Sequence, residues 1–242
     1  MQKGIYIAAS GAVLKQAQLE VITQNLANAN TTGYKKESIS FKDYLLPQDP
    51  AGAPDGRVMS EFSGTKIDFS NGTSVRTGNP LNISIEGPGL IALEGGQYTR
   101  RGDLSVSQDG YVTTNDGIKV MGSSGPINLP EGDIVIDQMG KISVISNGQV
   151  SQPPIEVDTI RILDFSQSGT VTKSGNGLYT AVGDGTQVST GVHQGYVETS
   201  NVDIVKEMVR MIEMQREFES YQKVIQSFDD SMAKVNTDLG RL

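Results

Sequence analysis

The chain has one histidine, His193, set in a Gly/Thr loop beside Gln194, and it has no cysteine. Imidazole and thiolate are the usual general bases, nucleophiles and transition-metal ligands near neutral pH. A metal site or a Ser–His–Asp relay in this chain would have to rest on His193 alone. His193 therefore reads as an exposed loop residue. The string Gly87-Pro88-Gly89-Leu90-Ile91-Ala92 fits the glycine spacing of a dinucleotide fingerprint. That motif works only where a helix opens at the second glycine and turns its free N–H groups to the pyrophosphate. Gly95-Gly96 follow too soon for such a helix, so the string reads as a hairpin turn. Asp109-Gly110 and Asp116-Gly117 lack the alternating carboxylates of a calcium loop. Asp229-Asp230 stands on or beside the polar side of a helix, and no second carboxyl is nominated to face it across a pocket. The expectation is a chain that is not an enzyme, with no cofactor, metal or small-molecule substrate.

The elements carry more information than these residues. Met211, Met214, Phe218, Tyr221, Ile225, Phe228, Met232, Val235 and Leu239 follow one another at alternating gaps of three and four. This spacing draws one narrow seam along a helix predicted from about Val202 to Leu239, and the seam needs a partner. Residues 4–30 supply the candidate. Ile5, Ala8, Ala12, Leu19, Ile22, Leu26 and Ala29 keep the same spacing, interrupted where Lys15 takes a seam position. Segment 1–46 carries five Lys against three acidic residues, and 197–242 carries six Lys/Arg against nine Asp/Glu. These opposite signs give a weak bias toward pairing.

Between the helices the period changes to two. Leu81–Ile85, Gly89–Leu93, Leu104–Val106, Tyr111–Thr114, Ile118–Met121, Ile134–Ile136, Lys141–Ile145 and Ile155–Phe165 are predicted strands. Asp109-Gly110, Asp116-Gly117 and Asn147-Gly148 mark reversals, because such pairs accept positive φ. Residues 46–70, with Pro47, Pro50 and Pro54, read as a linker or extended arm. The expected fold class is mixed α and β: long N- and C-terminal helices paired as a coiled coil, with an inserted antiparallel β-rich domain. The expected divisions are 1–45 for the first helix and its exit turn, 46–70 for the arm, 71–196 for the β domain and 197–242 for the last helix. Net charge is −8, mostly in the middle segment, which argues against nucleic acid as a partner. No apolar run approaches the ~20 residues that span a bilayer. Lys3 and Gly4–Leu14 imitate a secretory signal, but the amphipathic pattern continues through Lys15, so the start reads as mature protein.

The most specific string is Asn25-Leu26-Ala27-Asn28-Ala29-Asn30-Thr31-Thr32-Gly33-Tyr34-Lys35, the exit of the first helix. It resembles the N-terminal signature of the bacterial flagellar rod and hook proteins: N-L-A-N, two residues, then T-x-G-[FY]-[KR]. Asn25, Leu26, Ala27, Asn28, Thr31, Gly33, Tyr34 and Lys35 fill every defined position. Gln194–Asp203, Met211–Glu219, Tyr98-Thr99-Arg100-Arg101-Gly102 and Asp109–Val112 resemble further segments of the same family. Pro88-Gly89-Leu90-Ile91 departs from it, standing where the family often has Gly-Gly-Phe-Phe. The chain's shortness and its Arg216–Phe218 region resemble proximal rod members more than distal ones.

The resemblance implies a structural subunit of the basal-body rod, a hollow shaft that carries torque from motor to hook. It implies terminal helices in the inner tube, a β domain outside, copies of itself and other rod proteins as partners, and export by the flagellar type III apparatus without signal cleavage. It places the subunit in the periplasmic part of the flagellum. Ile5, Ala8, Ala12, Leu19, Ile22 and Leu26 would then form an assembly seam with Met211, Met214, Phe218, Tyr221, Ile225, Phe228, Met232, Val235 and Leu239. Two other classes are weighed beside it. A stalked adhesin or phage-tail part would carry its whole stalk at one end, and here helix stands at both. A glycan-binding β domain would want surface aromatics, and the middle segment offers Phe62, Phe69, Tyr98, Tyr111, Phe165, Tyr179 and Tyr196 but no Trp.

Overall fold

A computed structural model describes residues 2–45, 58–145, 153–165, 170–188 and 191–239. Ala, Leu and Gln dominate residues 8–19, a composition that favours helix, and α1 runs over Gln2–Ala27. It ends where Asn28–Asn30 and Thr31 fold into a turn, with Thr31 N–H donating to the Asn28 carbonyl at 3.1 Å. The last helix, α2, spans Ile204–Leu239, 36 residues and so about 54 Å. Asp203 caps it: its carboxylate accepts from the Lys206 N–H at 3.1 Å, satisfying one of the donors that a helix start leaves free.

The chain divides into two compact units. The first takes α1, α2 and residues 37–66, where β1 (Glu37–Leu45) pairs with β2 (Val58–Ile67). Part of the stretch read as a linker or arm is thus a strand. Residues 46–57 of that stretch lie outside the described residues.

The coiled coil expected of the two long helices is corrected by this unit. A coiled coil seats each seam side chain in a hole made by four residues of the facing helix. Here Met211, Met214, Phe218, Tyr221, Ile225 and Phe228 are all only half-buried, and Met232 is exposed. The helices run antiparallel and meet through rings laid on glycines. A Cβ at Gly4 would stand 2.9 Å from the Phe228 ring, and one at Gly11 2.7 Å from the Tyr221 ring. A surface of Gly and Ala is too shallow to form holes. Lys15, the break in the heptad, reaches Glu217 at 2.5 Å and Met214 Sδ at 3.8 Å. The fold class is mixed α and β, with two helices and several antiparallel sheets.

The second unit comprises residues 28–36 and 67–202. Its short strands are β3 (Ser74–Arg76), β4 (Ile83–Ile85), β5 (Leu90–Leu93), β6 (Gln97–Thr99), β7 (Ser105–Val106), β8 (Val112–Thr113), β9 (Asp133–Ile136), β10 (Lys141–Ile145) and β11 (Ile155–Thr159). The chain continues through β12 (Ile162–Asp164), β13 (Thr170–Gly175), β14 (Leu178–Val182), β15 (Thr186–Gln187), β16 (Val192–Gln194) and β17 (Tyr196–Glu198). One sheet has the order β13-β14-β6-β5-β12-β15 and another β11-β10-β9, while β16-β4, β17-β3 and β7-β8 form pairs. Among the described residues the strands named here pair antiparallel, as in β5 against β6, where Ile91 faces Thr99.

Ile83, Ile91, Val112, Val120, Ile127, Ile142, Val144, Ile160, Ile162 and Val192 fill the core. A second cluster joins Leu90, Leu163, Phe165 and Tyr179, with the Tyr98 ring edge-on to Phe165 at 4.8 Å. The predicted strand Ile118–Met121 resolves into isolated bridges, Thr113 to Lys119 and Leu93 to Val120. Ile155–Phe165 breaks into two strands at Ile160–Arg161, where Ile160 bridges Gly122 instead. Gly110 and Gly117 take φ of 81° and 80° at their reversals, and Asn147-Gly148 lies outside the described residues. Gly89 leads directly into β5, so the glycine-spaced string opens a strand and has no helix to offer a pyrophosphate.

Candidate functional site

The exit turn closes around three buried charges. Gly33 has φ +66°, and a Cβ there would lie 2.5 Å from the Arg100 carbonyl oxygen, so both its conformation and its surroundings call for glycine. Its N–H donates to the Glu198 carbonyl at 2.8 Å. Tyr34 is buried, with Lys173 Nζ 3.8 Å from the centre of its ring. Lys35, one residue on, is 1% exposed.

Lys35 Nζ donates to Glu198 Oε1 at 2.7 Å and to the Ser70 carbonyl at 2.8 Å. Arg100 Nε donates to Glu198 Oε2 at 2.6 Å, and its terminal nitrogens donate to the Gly89 and Ile85 carbonyls, both at 2.5 Å, and to Asn71 Oδ1 at 3.2 Å. The Gly72 N–H completes the carboxylate's set at 2.7 Å from Oε1. Glu198 is 2% and Arg100 3% exposed. Two cations therefore share one carboxylate away from water.

Burial pulls the Lys35 pKa below its ordinary 10.5, and the Arg100 charge pulls the same way against Glu198. Buried ions survive only when their partners are well placed. Asn201 laces the margin, accepting from Lys36 N–H at 2.7 Å and donating to the Asp68 and Ser70 carbonyls at 2.8 and 3.1 Å. The hydrogen bond from Ser70 N–H, 2.9 Å long, holds the Asp68 carboxyl below its usual range.

Three family models match the chain. "Flagella basal body rod protein" covers residues 5–35, "Flagellar hook protein FlgE/F/G D1 domain" covers 84–152, and "Flagellar basal body rod FlgEFG protein C-terminal" covers 193–238. The flagellar basal-body rod protein FlgG of Caulobacter vibrioides is 32% identical over 93% of this chain and 95% of its own. The chain belongs to the flagellar basal-body rod and hook family. FlgF of the same bacterium is 29% identical over the whole of both chains, and FlgG of Bacillus subtilis is 30% identical over 97% of this chain and 98% of its own. These matches are to structural proteins of the rod, not to enzymes. Among the described residues no three His, Asp or Glu stand together as a metal site. His193 is exposed, 3.3 Å from Glu86.

The three matched segments of this rod protein each supply one member of the lock: Lys35, Arg100 and Glu198. Lys35 was legible as a signature residue. Arg100 and Glu198 lay inside strings that resembled the family but carried no assigned role. The remaining signature residues serve the turn. Asn25, buried, clamps the Glu37 main chain both ways, donating to its carbonyl at 2.8 Å and accepting from its N–H at 2.9 Å. Asn28 Oδ1 accepts from the Thr31 hydroxyl at 3.2 Å. Leu26 is half-buried, and Ala27 is the last helical residue.

Of the seam residues on α1, Ala8, Ala12 and Ile22 are buried, while Ile5 and Leu19 are half-buried. The side chains of Val235 and Leu239 lie outside the described residues. Gly4 and Gly11, which carry the helix contact, were invisible to a search for apolar side chains.

Proposed function

We propose that this rod protein is a proximal-rod, FlgF-like subunit. It joins copies of itself and other rod proteins in the periplasmic shaft that transmits torque from motor to hook. The carrying observation is length. The FlgF alignment takes in both chains end to end over 252 residues, whereas the FlgG alignments that take in 97% or more of this chain, such as those of Bacillus subtilis and Borreliella burgdorferi, run to 263 and 262. A distal-rod, FlgG-like role is the second reading, favoured by the slightly higher identity to the FlgG of Caulobacter vibrioides.

In this role the seam residues of α1 and α2 serve assembly, and the β unit forms the outer layer. The chain is exported by the flagellar type III apparatus. The half-buried apolar residues of both helices support the assembly role, because such a surface is stabilised by further burial.

The test is deletion of the gene in its host, followed by mass spectrometry of isolated basal bodies. A proximal subunit is required before distal ones, so the FlgG protein is expected to vanish with it. Basal bodies that keep a separate FlgF protein while lacking only this chain would reverse the assignment to distal rod.

A further inference from the structure

Asn71 and Gly72 stand at the edge of the lock, and the lock touches both groups that could react there. Asn71 Oδ1 accepts from an Arg100 terminal nitrogen at 3.2 Å. The Gly72 N–H donates to Glu198 Oε1 at 2.7 Å. Arg100 and Lys35 hold that carboxylate in place at 2.6 and 2.7 Å. Asn71 is exposed and Gly72 half-buried, so water can reach the carboxamide and ammonia can leave it. Gly72 is also the residue that fits, because a Cβ there would collide with the Thr199 carbonyl.

An Asn-Gly bond is a place where a chain can close on itself, since glycine sets no side chain beside the nitrogen that must attack. A main-chain amide is a poor nucleophile until a base takes its proton, and a carboxylate at hydrogen-bond distance is placed to do so. A carboxamide is a poor electrophile until the charge developing on its oxygen is met, and a guanidinium at that oxygen meets it. Adjacency in the chain makes the step intramolecular. Base and oxyanion donor are here paired with each other, so the placing of one fixes the other.

We propose that Asn71-Gly72 is a self-modification site, at which Glu198 and Arg100 promote conversion of Asn71 to Asp through a cyclic imide. Glu198 takes the Gly72 amide proton as the nitrogen bonds to Asn71 Cγ, and the negative oxygen faces Arg100. The Cγ–Nδ2 bond then breaks, and its nitrogen leaves as ammonia with that proton. Water adds at Cγ, where Arg100 again polarises the carbonyl, and the bond from Cγ to the Gly72 nitrogen breaks. That nitrogen recovers a proton from the water, the main chain is restored, and the new carboxyl keeps the water's oxygen. In sum, one amide and one water give one carboxylate and one ammonium ion.

The product suits its place. Lys35 and Arg100 share a single buried carboxylate, and the conversion sets a second anion where the Asn71 amide oxygen now meets Arg100. A contact between a charge and a dipole becomes an ion pair. Glu198, tied to two cations, is a weak base, so the change happens once in the life of a chain and slowly. The proposal goes beyond the rod reading and does not depend on it, because the conversion is read in the purified protein without a basal body.

Asn176-Gly177 supplies a control within the chain. The same pair of residues makes the turn between β13 and β14, with φ of 49° and 73°. There the Thr99 hydroxyl donates to the Gly177 carbonyl at 2.9 Å, a contact with neither reacting atom.

Purified full-length chain is kept in neutral buffer made with heavy-oxygen water, folded in one sample and unfolded by guanidinium chloride in the other. Label uptake at Asn71 and Asn176 is followed by peptide mass spectrometry. Asn71 is expected to convert roughly tenfold or more faster in the folded chain, short of the full effect of a placed acid and base because Glu198 is weak. Asn176, fixed in its turn, should convert more slowly folded than unfolded. An Asn71 rate that is equal or lower in the folded chain overturns the proposal, and so does an equal gain at Asn176. Glu198→Gln should bring the folded rate at Asn71 down to the unfolded one. A rise instead would mean that the carboxylate shields Asn71, the opposite of what is proposed. The wild-type comparison decides the question even if that variant fails to fold. Asn71→Asp, which makes the product directly, should raise the guanidinium midpoint of unfolding, and an unchanged or lower midpoint would overturn the charge-balancing role.

Discussion

The helical unit and the β unit treat apolar side chains in opposite ways. In the β unit Ile91, Val120 and Val144 are wholly buried, and three charges are buried with them. In the helical unit the largest apolar residues of α2 are half-buried at best, and Val205 and Ile212 lie open. The difference is one of completeness. A sheet-based core closes on itself, whereas a single helix pair covers only one stripe of each helix and leaves the rest uncovered.

The largest effect that would break this contrast is at Glu198. Glu198→Gln keeps the shape but leaves Lys35 and Arg100 buried without their carboxylate. It is expected to cost about 3–5 kcal/mol in urea unfolding of the full chain. A loss below about 1 kcal/mol would mean that water reaches the lock. Next comes Ile142→Ala in the β core, expected to cost about 2–5 kcal/mol through the cavity it leaves. Ile212→Ala on the exposed stripe should stay within about 0.5 kcal/mol in dilute protein, and the ratio of these two losses measures the contrast.

Gly33→Ala forces a Cβ into the left-handed region, about 1–2 kcal/mol by itself. The approach to the Arg100 carbonyl adds to that, so a stability equal to wild type would show that the turn can open without cost.

The smallest effects are in pH. Asp203 and Asp68 titrate lower in the folded chain, Asp203 chiefly through the Lys206 N–H and Asp68 through the Ser70 N–H. The unfolded chain therefore binds protons first as pH falls. Their contribution is whole above the ordinary carboxylate value of 3.8 and is lost as pH drops through the folded values. Asp203→Asn should flatten that acid limb of the unfolding curve. Lys35 acts in the same direction at the alkaline end. Its folded pKa lies below 10.5, so stability attributable to it should rise as pH climbs toward that value, and Lys35→Met should remove the rise.

Much of the architecture was legible in the residues. The heptad of α2, the two-residue period of the strands and the Asp-Gly reversals each reflect local geometry that a short window contains. The helix contact was not legible in the same way. A heptad says that a seam exists but not how deep its partner is, and Gly4 and Gly11 decided that point by offering backbone where a coiled coil needs holes. The lock escaped for another reason. Lys35, Arg100 and Glu198 are 65 or more residues apart, and nothing local to a Lys, an Arg or a Glu says that it will be buried.

The shared carboxylate also sets an order of events. Glu198 follows Lys35 by 163 residues and Arg100 by 98. A chain that emerges amino-terminus first, from a ribosome or a narrow pore, presents both cations long before their common anion. Until then each keeps its water, because burying it alone is prohibitive. The exit turn therefore stays unlatched until the last fifth of the chain is free. The lock works as a timer that withholds the finished shape from any fragment lacking its far end.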